Sequence, residues 1–131
     1  MKQFLMLVTA LVSVALVGTA AAESKDVEQK FPDVVNVKVE ASGNNHFDFD
    51  VTIASPYDSP QRYADAFRVL SMAGQPFGER KLLHDHADEQ PFTRDLYSVS
   101  IPVGVRMVVI QARDQKYGYG GRTMQVILPG R

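Results

Sequence analysis

Between Phe47 and Ile53 the chain alternates without a miss. Phe47, Phe49, Val51 and Ile53 share one parity, and Asp48, Asp50 and Thr52 the other. A period of two places one face of an extended segment in a core and the other in water. A helix would scatter the same residues around its circumference, so the segment reads as a half-buried strand. The chain has no cysteine, so packing alone must hold whatever this strand joins, and no thiolate metal site or cysteine nucleophile is possible.

The rest of the body reads in the same way. Val35, Val37 and Val39 alternate with Asn36 and Lys38, and a turn follows at Ser42-Gly43-Asn44-Asn45. Ser55 to Pro60 carries two prolines and reads as loop. Tyr63 to Met72 contains Phe67, Val69 and Leu70, and is read as strand rather than helix. Phe77 to Leu83 is a short strand. Tyr97, Val99 and Ile101 alternate with Ser98 and Ser100. Val105 to Ile110 is apolar on both faces and is expected to be central. Tyr117 to Gly121 reads as a glycine-rich hairpin tip, and Met124, Val126 and Leu128 alternate in a last strand that Pro129 stops. About seven short strands and no convincing helix predict an all-β fold. An immunoglobulin-like or fibronectin-III-like β-sandwich fits best. The antibody-type branch is not supported, because its Cys pair and core Trp are missing. The expected core includes Phe47, Phe49, Val51, Ile53, Val109, Val126 and Leu128.

The start of the chain predicts export. Met1-Lys2-Gln3 is a short positive region, Phe4 to Gly18 is apolar, and Thr19-Ala20-Ala21-Ala22 supplies small residues for a cut after Ala22. This is the pattern of a secretory signal peptide, shorter than a membrane span. Residues 1–22 are therefore read as the leader, 23–32 as a flexible N-terminal arm, and 33–131 as the β-sandwich domain. The expected location is periplasmic or secreted, with no stable membrane insertion after cleavage and no lipid-modified cysteine. A formal net charge of −1 argues against nucleic acid as a partner.

Two segments carry residues with chemistry. His84-Asp85-His86 places two imidazoles two residues apart, on one face if the segment is extended, and Glu89 follows. His84, His86 and Glu89 are thus candidate ligands for zinc or copper, although a loop whose histidines bond backbone groups fits the same residues. The spacing from Gly78 through His84, His86 and Glu89 approximates a first cupin motif. Pro102-Val103-Gly104 suits the second, but Met107 stands where a histidine ligand is due. Arg94 can reach back to Glu89 or to Asp114 as a bidentate pair, and Phe92 can plug the end of the core. The segment from Glu89 to Arg94 is therefore either a latch over the sandwich end or the wall of a pocket. Asp114 to Gly121 offers Tyr117 and Tyr119 on a glycine-rich tip, and tyrosine suits recognition surfaces. Asp114 could join a calcium site, but no spaced acidic loop is present. No serine lies in a nucleophile-elbow context.

The segments Tyr63-Ala64-Asp65, Leu82 to Arg94, Ala112-Arg113-Asp114 and Gly118-Tyr119-Gly120-Gly121 together resemble a small family of secreted bacterial proteins with an HxH…EQPFTR…GYGG pattern. The resemblance implies a secreted β-sandwich and lends no activity, substrate or catalytic residue. Relatives in that family often carry histidine where Tyr117 stands, which weakens a metal site here. The leading expectation is a non-enzymatic binding or interaction domain for an unknown protein partner or small ligand. His84, His86, Glu89, Arg94, Asp114, Tyr117 and Tyr119 are its candidate binding residues. The alternatives are a zinc or copper protein, or metalloenzyme, using His84 and His86, and a purely structural domain.

Overall fold

A computed structural model describes residues 28–131; residues 1–22, expected to be a leader, and residues 23–27 lie outside the described residues. Seven strands follow one another: β1 (Asp33–Gly43), β2 (His46–Ala54), β3 (Ala64–Ser71), β4 (Pro76–Lys81), β5 (Phe92–Ser100), β6 (Met107–Asp114) and β7 (Gly118–Ile127). They form two antiparallel sheets, of order β1-β2-β5 and β4-β3-β6-β7. No helix occurs among the described residues. The chain changes sheet between β2 and β3, between β4 and β5, and between β5 and β6.

The inner faces meet in one core. Phe47, Phe49, Val51 and Ile53 of β2 are buried as their alternation requires, and they pack with Phe67, Val69, Phe92, Val99, Val108 and Ile110. Leu128, just after β7, is buried as well, while Val126 is only half-buried against the same core. Val109 departs from expectation. On β6 the inward positions are Val108, Ile110, Ala112 and Asp114, and Val109 faces the outer side. The strand is apolar on both parities, so its periodicity carries no sign. It is central, as expected, between β3 and β7.

Elsewhere parity breaks at bulges, where two residues oppose one and the alternation flips. Val35 is the extra residue of β1: Val34 pairs Ile53 and Asn36 pairs Thr52. Val34 is therefore buried while Val35 faces out. Asp65 is the extra residue of β3, between Ala64 opposite Asp114 and Ala66 opposite Arg113. On β5, Tyr97 and Ser98 together oppose Asp48. Ser98 adopts φ 54°, and its N–H donates to Asp48 Oδ1 at 2.7 Å. Tyr97, expected to share a face with Val99, is consequently exposed.

Two further segments differ from the sequence reading. β5 begins at Phe92, so half of the Glu89–Arg94 segment is strand. β7 begins at Gly118, so most of the glycine-rich tip is strand too, and the turn is limited to residues 115–117. Of the glycines of β7, Gly118 and Gly121 adopt φ 83° and 78°, and Gly120 and Gly121 serve close packing. A Cβ on Gly120 would overlap the Phe31 ring, and one on Gly121 would meet the Pro32 carbonyl. Residues 28–32 thus lie against β7, with Pro32 buried. Arg122 N–H donates to Asp33 Oδ1 at 2.8 Å and closes this side. Truncation of Phe49, wholly buried at the centre of β2, is expected to lower unfolding free energy by about 3–5 kcal/mol in Phe49→Ala, measured by chemical denaturation.

Candidate functional site

All the candidate residues except Tyr119 fall at one end of the sandwich. β2, β4 and β6 end there, and β1, β3, β5 and β7 begin there. The connections at this end are the β2–β3 loop (55–63), the β4–β5 loop (82–91) and the β6–β7 turn (115–117), with residues 28–32 beside them.

The β6–β7 turn is organised by Asp114, which is fully buried at the inward end of β6. A carboxylate in that position needs compensation for lost solvation. The N–H groups of Lys116 and Tyr117 each donate to its Oδ2 at 2.9 Å. Arg62 Nε reaches both carboxylate oxygens, at 3.2 and 3.3 Å. Burial alone would push the Asp114 carboxyl up. The neighbouring Tyr57 phenol, the two amides and Arg62 outweigh it and hold the group below the usual carboxylate range. The Tyr57 phenol is pushed well above its ordinary value, first by burial and then by the neighbouring Asp114.

Arg62 joins this carboxylate to the rest of the loop end. Its guanidinium donates to Gln29 O at 2.6 Å and pairs with Glu28 at 3.0 Å. It lies 4.0 Å from the centre of the Tyr57 ring and 5.1 Å from that of Tyr117. Tyr117 also meets the edge of Phe31, at 6.2 Å between ring centres. This tyrosine, expected on an open tip, is therefore half-buried between the arm and Arg62.

The β4–β5 loop is tied down separately. Asp58 accepts the Ala64 N–H on Oδ1 and the His86 N–H on Oδ2, both at 3.0 Å. Gln90 accepts the Ser55 N–H at 2.7 Å and donates to His86 O at 3.0 Å. Glu89 takes both terminal nitrogens of Arg94, at 3.2 and 3.1 Å. This pair lies within the segment, Gln90 joins the segment to the β2–β3 loop, and the buried Phe92 anchors it in the core. Of the two partners expected for Arg94, Glu89 is the one it finds; Asp114 belongs to Arg62.

His84 and His86 lie in this crossing loop and not in an extended strand, because the chain must pass from one sheet to the other after Lys81. Their rings are nevertheless 4.9 Å apart. His84 is exposed, with Nδ1 2.9 Å from Asp85 O. His86 is buried and stacked on Phe92, with 4.0 Å between ring centres and an angle of 11°. Neither of its ring nitrogens has a hydrogen-bond partner among the described residues. Burial, then the charges of Arg94 and His84, push its pKa below the ordinary histidine value, against the opposite pull of Asp58 and Glu89. Among the described residues, no three His, Cys, Asp or Glu side chains converge as a metal centre.

Tyr119 stands apart, on the outer face of the four-stranded sheet. Its hydroxyl donates to Glu79, and the Arg68 guanidinium lies 3.6 Å from the centre of its ring. Beside it, β3 and β4 border a cleft of about 480 Å³ lined by Tyr63, Asp65, Ala66, Glu79, Lys81, Leu82, Leu83 and Arg113. Ala66 pairs with Lys81 on one side and Arg113 on the other. A small residue on the middle strand thus leaves room between two long cations, whose Cα atoms stand about 10 Å apart from strand spacing. Of these residues, sequence reading singled out none as functional. Nothing in the sequence states the register that sets Ala66 between Lys81 and Arg113. Asp58 and Arg62 were equally hidden in a segment that reads only as loop.

No family model matches the chain, and no solved structure matches it. It is similar to a protein of Halomicrobium mukohataei named "Putative lipoprotein", 36% identical over 104 residues that make up 79% of this chain and 51% of the relative. The chain thus spans about half the length of that curated relative.

The buried His86 gives a defined pH response. Its folded-state pKa lies below the unfolded value of about 6.5, so the unfolded chain binds the extra proton first. Stability should fall as pH drops through about 6.5 toward the folded-state pKa. Thermal unfolding should show this decline, and His86→Phe, which keeps a ring against Phe92, should remove it above pH 5.

Proposed function

We propose that the chain is an extracytoplasmic, non-enzymatic binding domain of fibronectin-III-like type whose ligand site is the cleft beside its latched loop end. The strand order β1-β2-β5 over β4-β3-β6-β7 supports that fold type. The leader pattern and the relative's name, that of a lipoprotein, support a location outside the cytoplasm.

The observation that carries the binding reading is the contrast between the two halves of the loop end. Asp114, Arg62, Asp58, Gln90 and Glu89 are consumed by contacts within the protein. The neighbouring cleft presents exposed Lys81 and Leu83 together with Tyr63 and Arg113, within the size range of small-ligand sites. A second reading, zinc or copper held by His84 and His86, draws support from the 4.9 Å ring separation and the partnerless nitrogens of His86. It has two imidazoles where zinc takes about four ligands, since Glu89 is held by Arg94.

Amide-resolved NMR of the protein titrated with small sugars, amino acids, hydroxy acids and fatty acids tests the cleft. The shifts expected from a binding compound cluster at Tyr63, Asp65, Lys81, Leu83 and Arg113. Silence from every class, or clustering elsewhere, would leave a purely structural domain or a different site.

A further inference from the structure

We infer that the cleft selects an organic monoanion: a carboxylate joined to an apolar body. The inference rests on the cleft reading above and names what that site takes. Its argument is the balance of charge and surface. Of the two carboxylates on the wall, Asp65 accepts Arg113 Nη1 at 2.5 Å, and Glu79 accepts the Tyr119 hydroxyl. Arg68 lies over the Tyr119 ring and donates to Gln111, outside the cleft lining. On the wall itself two cations, Lys81 and Arg113, face two acids, Asp65 and Glu79, and the Asp65–Arg113 ion pair leaves Lys81 as the cation without a partner. Lys81 makes no ion pair and no side-chain hydrogen bond among the described residues. Its ammonium is exposed at the cleft wall. An incoming anion therefore meets one uncommitted positive charge, whereas the two carboxylates already accept from Arg113 and Tyr119, and the remaining Asp65 oxygen, Oδ1, is buried out of reach of solvent.

The rest of the wall is chosen for something other than water. Leu82 is buried and forms part of the core, and Leu83, next along the chain, is 83% exposed. Leu83 also lines the cleft, beside the Tyr63 ring. A leucine held in water at the mouth of a ligand-sized cleft gains from covering by an apolar body, at roughly 25 cal/mol per Å² removed from water. The Tyr63 hydroxyl reaches the Leu83 carbonyl across 3.5 Å, a long contact that ties ring and loop together. Carboxylate at Lys81 and chain or ring against Leu83 and Tyr63 satisfy both features at once. The latch sets their spacing, because Asp58 and Gln90 fix the loop that carries Leu83 through the His86 backbone.

Calorimetry with octanoate, octylammonium and acetate separates the parts. Octanoate is expected to bind, with both controls weaker by about tenfold or more. Lys81→Gln, at an exposed position, should weaken octanoate about three- to tenfold, as loss of one partly solvated charge-assisted contact does. Leu83→Ser should weaken octanoate and leave acetate unchanged. Equal octanoate binding by Lys81→Gln, or equal binding of octylammonium, would overturn the carboxylate assignment. If octylammonium alone shifted the cleft amides in NMR, the site would stand and its ligand class would fall. If no probe shifted them, the cleft reading itself would fall with it.

Discussion

A fully buried carboxylate governs the end of this sandwich. Asp114 sits at the inward end of β6 with no exposed surface. Left alone, such a group would be neutralised or would unfold its surroundings. Arg62 answers it from the β2–β3 loop, helped by two turn amides and Tyr57. The same guanidinium then holds Gln29 and Glu28, and Asp58, four residues earlier, holds the backbone of His86. One charge requirement thereby links residues 28–32, the β2–β3 loop and the β6–β7 turn, and Asp58 on the same β2–β3 loop ties in the β4–β5 loop. The packed sheets supply the bulk of stability by burial of apolar surface. The ion pair decides how the connections lie on top of them.

That division explains how far the sequence could be read. Phe47, Phe49, Val51 and Ile53 lie on a regular strand with one wet face, so their burial follows from alternation. Val35 and Tyr97 do not, because a bulge inverts parity wherever two residues oppose one. Val109 misleads for another reason: β6 is apolar on both faces, and its neighbours in the sheet choose the inner one. The glycines of β7 looked like a hairpin tip because composition cannot distinguish a positive φ from a close approach. Here both occur: Gly118 and Gly121 adopt positive φ, and Gly120 and Gly121 make room for Phe31 and Pro32.

The site was legible in part. The gathering of His84, His86, Glu89, Arg94, Asp114 and Tyr117 at one end follows once the strands are counted, since each flanks a connection on the same side. The Glu89–Arg94 pair was foreseeable from the short separation of opposite charges. The partner of Asp114 was not, because Arg62 lies 52 residues away in sequence. The cleft was invisible for a related reason. It arises from cross-strand register, which places a small Ala66 between Lys81 and Arg113. The chemistry of this end therefore divides between groups that hold loops and groups that face solvent. The former include most of the residues that looked functional.

The central claim is that the Arg62–Asp114 pair fixes the loop end, and equilibrium unfolding of Arg62→Met tests it most directly. Methionine keeps much of the side-chain volume and removes the charge, leaving the buried carboxylate without its cation. The account predicts a loss of about 3–5 kcal/mol, with restoration of part of that loss when Asp114→Asn is added. A single variant within about 0.5 kcal/mol of the parent would contradict it.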